Sequence, residues 1–93
     1  HKDLREMGDK VKDYLKSGIV ILIGKREKKA LLLVMVTKDL QNKFDAGKII
    51  GKLAKIIDGK GGGKAGIAQG GGEYSEKVKK ALENVPEIIK VIN

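Results

Sequence analysis

The spacing of apolar side chains changes from one stretch of the chain to the next, and each spacing predicts an element. Leu4, Met7, Val11, Tyr14 and Leu15 recur with the 3.6-residue period of one helix face, which predicts a helix over residues 3–16 stopped at Ser17-Gly18. No capping residue precedes this stripe. It therefore reads as the end of a longer helix, and the chain as a fragment of a larger protein. Ile19-Val20-Ile21-Leu22-Ile23 is a β-branched run that predicts a strand covered on both faces and closed by Gly24. Lys25-Arg26-Glu27-Lys28-Lys29 is a charged connector of hairpin length. Ala30 to Val36 is a second buried run, antiparallel to the first because the link is so short.

Past Thr37, Lys38-Asp39-Leu40-Gln41 has the length of one helical turn. Asp45 is placed to cap a helix over 46–57, with Ala46, Ile49, Ile50, Leu53, Ile56 and Ile57 inside and Lys48, Lys52 and Lys55 outside. Asp58-Gly59 ends it. A glycine-rich segment follows, in which Ile67-Ala68-Gln69 has room for a short strand. Ser75 is placed to cap a last helix with Val78, Ala81, Leu82 and Val85 as its buried stripe. Pro86 lacks an amide donor and interrupts that helix, then begins a final turn with Ile88, Ile89 and Ile92 apolar. The predicted fold is a small α/β layer structure: a mixed or antiparallel sheet of two to three or more strands packed by about three helices. Residues 1–18 form the end of a helical segment, and 19–93 the glycine-rich α/β domain.

Composition narrows the chemistry. The 93 residues hold no Cys, and the one His is His1, so disulfide, thiolate and histidine chemistry have no internal residue to rest on. The longest apolar runs are far short of the ~20 residues that span a bilayer, so no membrane partner is expected. With no signal peptide visible, a cytoplasmic location is expected. The net charge is +8, and it is concentrated: residues 19–64 carry eleven basic and four acidic side chains, against five and four in 1–18 and four and four in 65–93. A positive field gathered in the middle of a chain suits a polyanion such as nucleic acid; a lysine-rich solubilising surface is the plainer reading.

Gly59 to Gly72 contains eight glycines in fourteen residues. Three readings compete: a flexible linker, tight turns at strand ends, or a phosphate cradle. The cradle would be built from successive backbone N–H groups, with Lys60 and Lys64 adding charge and the helix near Ser75 adding its positive end. Nucleotide motifs do not fit. A P-loop needs Gly where Asp58 stands and Ser or Thr where Ala65 stands. Gly61, Gly63 and Gly66 satisfy GxGxxG, but a helix precedes them where a Rossmann turn needs a strand.

Lys43-Phe44-Asp45-Ala46-Gly47-Lys48, then Gly59-Lys60-Gly61-Gly62-Gly63-Lys64, then Ala68-Gln69-Gly70-Gly71-Gly72 resembles the C-terminal region of alanyl-tRNA synthetases, a module shared with the DHH-family phosphoesterases. The resemblance covers roughly residues 19–91, including Val85-Pro86-Glu87. Two departures stand out. The synthetases usually carry Arg-Pro-Asp where this chain has Lys64-Ala65-Gly66, and the phosphoesterases usually carry His where it has Lys64, which favours the synthetase branch.

The resemblance implies a tRNA-binding domain with no catalytic residues. It would contact the outer corner of an alanine-specific tRNA and serve the aminoacylation and editing domains of its parent chain. It also implies a homodimer through the N-terminal helix, and a parent enzyme using ATP, Mg and Zn, with no cofactor in this segment. Under that reading Lys60, Lys64 and the amides of Gly61, Gly62 and Gly63 contact the tRNA backbone. Lys48, Lys52 and Lys55 flank the site, and Lys25, Arg26, Lys28 and Lys29 reach a second run of phosphates. Gln69 bonds a base edge or ribose hydroxyl, and Tyr74, just after Gly70, Gly71 and Gly72, is the stacking candidate, while Phe44 belongs to the core. Each has a plainer reading as a turn, a solvated face or a packing residue. With so few aromatics, recognition by shape and backbone is expected over base reading. Two other classes remain: a nucleotide-gripping accessory domain of a DHH-family phosphoesterase, and a dimerisation module.

Overall fold

The computed structural model describes residues 2–86 and residue 88. Helix α1 (Lys2–Tyr14) is followed by strands β1 (Ile19–Arg26) and β2 (Lys29–Val36), a 3-10 turn (Lys38–Leu40), helix α2 (Ala46–Ile56), strands β3 (Lys60–Gly63) and β4 (Ile67–Glu73), and helix α3 (Glu76–Glu83). The four strands form one sheet in the order β1-β2-β4-β3, and every neighbouring pair is antiparallel.

The first hairpin is longer than its apolar pattern. β1 runs past Gly24 through Lys25 and Arg26, and β2 begins at Lys29, so only Glu27 and Lys28 turn the chain. The expected five-residue connector is mostly ladder: its charged side chains lie exposed at the end of the sheet, where a strand loses nothing by being polar. Nor is β1 covered on both faces. It is an edge strand, and Ile19, Ile21, Leu22 and Ile23 are only half-buried.

The larger core lies on one face, where Leu32, Val34 and Val36 of β2 meet Ile49, Ile50 and Leu53 of α2 and Val78 and Ala81 of α3. Phe44 packs at its margin, as expected. The Asp45 side chain accepts the Lys48 N–H at 3.2 Å and caps α2; the Ser75 hydroxyl accepts the Lys77 N–H at 3.2 Å and caps α3. Asp58, at φ +54°, carries the chain out of α2. Of the predicted α3 stripe, Val78 and Ala81 are buried and Val85 half-buried, but Leu82 is 50% exposed. The helix ends at Asn84 before Pro86, and the Ile88 N–H then bonds the Asn84 carbonyl at 3.0 Å. Ile89 and Ile92 lie outside the described residues.

α1 covers the opposite face. Its closest approach is at Gly8, where an added Cβ would stand 2.9 Å from Leu33 Cδ2 and 3.0 Å from Met35 Sδ. This rotates the helix away from the predicted stripe. Leu4 packs inward against the cluster of Val20, Leu33 and Met35, whereas Met7 and Tyr14 are 53% and 91% exposed, and Val11 and Leu15 are also exposed.

Candidate nucleic-acid interface

The glycine-rich segment is a hairpin, β3 and β4 joined by the turn Lys64-Ala65-Gly66, and not a single short strand between loops. The glycines have a packing role. An added Cβ at Gly70 would stand 2.8 Å from the Lys60 carbonyl oxygen and 3.3 Å from Ile50 Cγ1 of α2. One at Gly59 would stand 2.1 Å from the Gly71 carbonyl oxygen. Glycine thus lets α2 and the two strands close on one another at backbone distance.

Successive amides of a strand point in opposite directions, and this decides what Gly61–Gly63 present. The Lys64 N–H bonds the Ile67 carbonyl at 2.9 Å, so Lys60, Gly62 and Lys64 face β4 with their backbone groups. The amides of Gly61 and Gly63 point out of the sheet edge. The three N–H groups do not converge into one concavity. Nor does α3 add its positive end to Lys64. Gly63 pairs with Ala68 at one end of β4, and Ser75 lies beyond Glu73 at the other. The helix start nearest Lys64 is that of α2, and its first amides are already bonded: Ala46 N–H to the Ala65 carbonyl at 3.0 Å and Gly47 N–H to the Lys64 carbonyl at 3.2 Å.

What the hairpin does present is a groove on the α1 side of the sheet, about 290 Å³, lined by Arg5, Gly62, Gly63, Lys64, Ile67, Ala68 and Gln69. α1 covers β1 and β2 and leaves β4 and β3 open, so the side chains of Lys60 and Gln69 share this face with Gly62. Nothing lies within 4 Å of where a Gly62 Cβ would stand. The floor is exposed backbone, one wall is an arginine and the rim carries two lysines, which suits a phosphate chain or the flat face of a base. Arg5 was not among the residues expected at the site. Its charge was legible, but nothing in the sequence says which strands α1 leaves uncovered.

The remaining expected residues lie elsewhere. Gly70 and Gly72 turn toward α2, and Gly71 sits in β4 behind Lys60. Lys48, Lys52 and Lys55 are exposed on α2, on the other side of the sheet from the groove. Lys25, Arg26, Lys28 and Lys29 gather at the tip of the β1–β2 hairpin, at the far end of β4 from Lys64. Tyr74 belongs with that tip: Lys25 Nζ stands 4.8 Å from its ring centre, and its N–H bonds the Lys28 carbonyl at 2.8 Å. Lys77 pairs with Asp58, whose hydrogen bond and charge raise the lysine's pKa. The basic residues thus form a groove, a helix face and a hairpin tip, spread over both sides of the sheet.

Among the described residues no group of three or more His, Cys, Asp or Glu is placed to hold a metal ion, and no helix is long and apolar enough to cross a membrane.

Comparison with known proteins gives this arrangement a context. The chain is 45% identical over 87 residues to alanine–tRNA ligase of Anaeromyxobacter dehalogenans (strain 2CP-C), covering 94% of this chain and 10% of that protein. It is 46% identical over 88 residues to alanine–tRNA ligase of Ruthia magnifica subsp. Calyptogena magnifica, covering 95% of this chain and again 10% of that protein. The chain thus spans about a tenth of the length of these curated relatives. In structure it is similar to the C-Ala domain from Aquifex aeolicus alanyl-tRNA synthetase, with a TM-score of 0.85, 30% identity, and coverage of 95% of this chain and 79% of that one. The DHHA1 domain model matches residues 1–91, and the chain belongs to the DHHA1 domain family.

Proposed function

We propose that this chain is the tRNA-contacting C-terminal domain of an alanine–tRNA ligase, and that its RNA-binding surface is centred on the groove between α1 and the β3–β4 hairpin. The observation that carries the reading is the groove itself: an open glycine floor at Gly62, bounded by Arg5, Lys60, Lys64 and Gln69 on one face of a rigid sheet. Bare backbone lets the sugar–phosphate chain approach, and the cations neutralise it without reading bases. This suits recognition of tRNA shape at its outer corner. The hairpin tip, with Lys25, Arg26, Lys28, Lys29 and Tyr74, and the Lys48–Lys52–Lys55 face of α2 are secondary contacts that add to the electrostatic attraction. Alanine specificity, aminoacylation, editing, and the use of ATP, Mg and Zn belong to other parts of a cytoplasmic parent enzyme. This domain serves them by holding the same tRNA.

The test is a titration of the chain with tRNA, with an RNA hairpin lacking the tRNA corner, and with duplex DNA at several salt concentrations. Preferential binding of tRNA, weakened by Lys64→Ala and by Gly62→Ala, supports the reading. Equal binding of all three, lost together as salt rises, overturns it and leaves a generic basic surface.

A further inference from the structure

We infer that two copies of this chain pair through the open edge of β1, joining their sheets into one continuous eight-stranded sheet around a two-fold axis at Ile21. The hydrogen-bond register makes the edge specific. Gly18 and Thr37 are bonded across the start of the ladder, and β1 pairs with β2 from Ile19↔Val36 to Arg26↔Lys29. Val20, Leu22, Gly24 and Arg26 therefore spend their backbone groups on β2, while the N–H and C=O groups of Ile19, Ile21 and Ile23 point out of the sheet. Among the described residues no strand pairs with them.

Natural sheets blunt such edges with short strands, prolines, bulges or lysines. The β3 edge follows that rule, with four residues beginning at Lys60. β1 does not. It has eight residues, an unbroken register, and no charge or proline between Ile19 and Ile23.

The occupant that fits is another copy of the same strand. Ile-Val-Ile-Leu-Ile is close to symmetric about Ile21. Antiparallel self-pairing sets Ile21 against Ile21, Ile19 against Ile23, and Val20 against Leu22, with all three outward-pointing residues of each copy in hydrogen-bonded positions. Shifting the pairing by one residue would set outward groups against inward ones and lose every bond. Charge agrees with the same register. Lys25 of one copy stands across from Ser17 of the other, and the Ser17 hydroxyl is bonded to the Asp39 carboxylate at 2.5 Å.

A second element points the same way. Arg5 leans from α1 toward β3, whereas Leu4 and Met7 line a groove with Gly24, Lys25 and Arg26 of β1. The helical period then puts Met7, Val11 and Tyr14 on the flank of α1 that overlooks the open edge. These are the exposed apolar residues that the packing of α1 leaves unburied. Pairing about Ile21 brings the two copies of this flank side by side on one face of the joined sheet and covers them. The inference stands independently of RNA binding, and its test contains no RNA.

Sedimentation equilibrium of the chain across micromolar to millimolar concentration, with amide exchange read at both ends of the range, tests it. The expected result is a monomer–dimer equilibrium in which the Ile19, Ile21 and Ile23 amides become protected only in the dimer. Ile21→Pro removes an outward donor that β2 does not use, a position where an edge strand tolerates proline, and should abolish the dimer. Tyr14→Arg alters a side chain that is 91% exposed, so it should preserve the fold while weakening the dimer. A chain that stays monomeric at millimolar concentration overturns the inference. So does a dimer in which those three amides exchange as fast as in the monomer, or one that both folded variants leave intact.

Discussion

The Thr37 hydroxyl donates to the Asp39 carboxylate at 2.6 Å while its oxygen accepts the Gly18 N–H at 3.0 Å. Ser17 donates to the other carboxylate oxygen at 2.5 Å, so one acid ties the α1–β1 junction to the end of β2. The Ser17 bond first and the Thr37 bond second hold the Asp39 carboxyl below its usual range. A carboxyl lowered in the folded state contributes stability above its unfolded value near ~3.9, and that contribution is lost as pH falls through the folded value. The urea midpoint of the wild type should therefore fall more steeply below about pH 4 than that of Asp39→Asn. Parallel pH profiles for the two proteins would remove Asp39 from the acid response. Thr37→Val leaves the Gly18 N–H and Asp39 each short of a partner and should cost about 1–3 kcal/mol at neutral pH.

Two glycines separate packing from propensity. Gly59→Ala drives a methyl into the Gly71 carbonyl and should destabilise by about 3 kcal/mol or more, through backbone overpacking. Gly51 is exposed within α2, with nothing within 4 Å of an added Cβ. Gly51→Ala should stabilise by about 0.5–1 kcal/mol, because alanine has less backbone freedom to lose in a helix. Thermal unfolding of both variants checks the pair, and equal shifts would mean that the β3–β4 contact is looser than described.

Glu27 turns the first hairpin at φ +57°, a left-handed conformation that costs a non-glycine residue roughly 1–2 kcal/mol. Part of that cost returns in Glu27→Gly as extra freedom in the unfolded chain. A net gain of about 0.5–1 kcal/mol is expected, seen as a higher melting temperature. A loss of stability would show that the glutamate side chain contributes at the hairpin tip.

Gly62→Ala separates groove from fold. The strand should keep its stability within about 0.5 kcal/mol, since the methyl meets no neighbour, while RNA affinity falls as the floor rises. Arg5→Ala and Lys64→Ala should each flatten the salt dependence of binding by about one unit of slope. Lys52→Ala, across the sheet from the groove, should change it less. A larger effect at Lys52 than at Lys64 would move the interface to the α2 face.

Much of the fold was legible because local rules agree along the chain. Asp45 and Ser75 announce the starts of α2 and α3 through their side-chain oxygens, Pro86 announces a break, and the spacing from Ala46 to Ile57 gives α2 its buried face. The glycine segment was misread at the level of secondary structure. Residues without side chains leave no alternation to detect, so β3 and most of β4 were invisible until their partners were known. The α1 stripe misled for the opposite reason: its period was clear, but Gly8 at the point of closest approach rotated the helix and left Met7, Val11 and Tyr14 outside.

The sequence by itself determined that the chain is a basic, aliphatic-cored α/β domain without cysteine, with two capped helices, an apolar hairpin and glycines too many for a linker. These properties are carried by individual residues or by short-range periodicity. Only the tertiary structure decided that the glycines are strands packed under α2. It also set Arg5, Gly62, Lys64 and Gln69 in one groove while Tyr74 joins the hairpin tip, and it left β1 at an open edge. Those outcomes depend on which strands are neighbours and which face each helix covers, and such long-range choices are settled by the burial of the whole core.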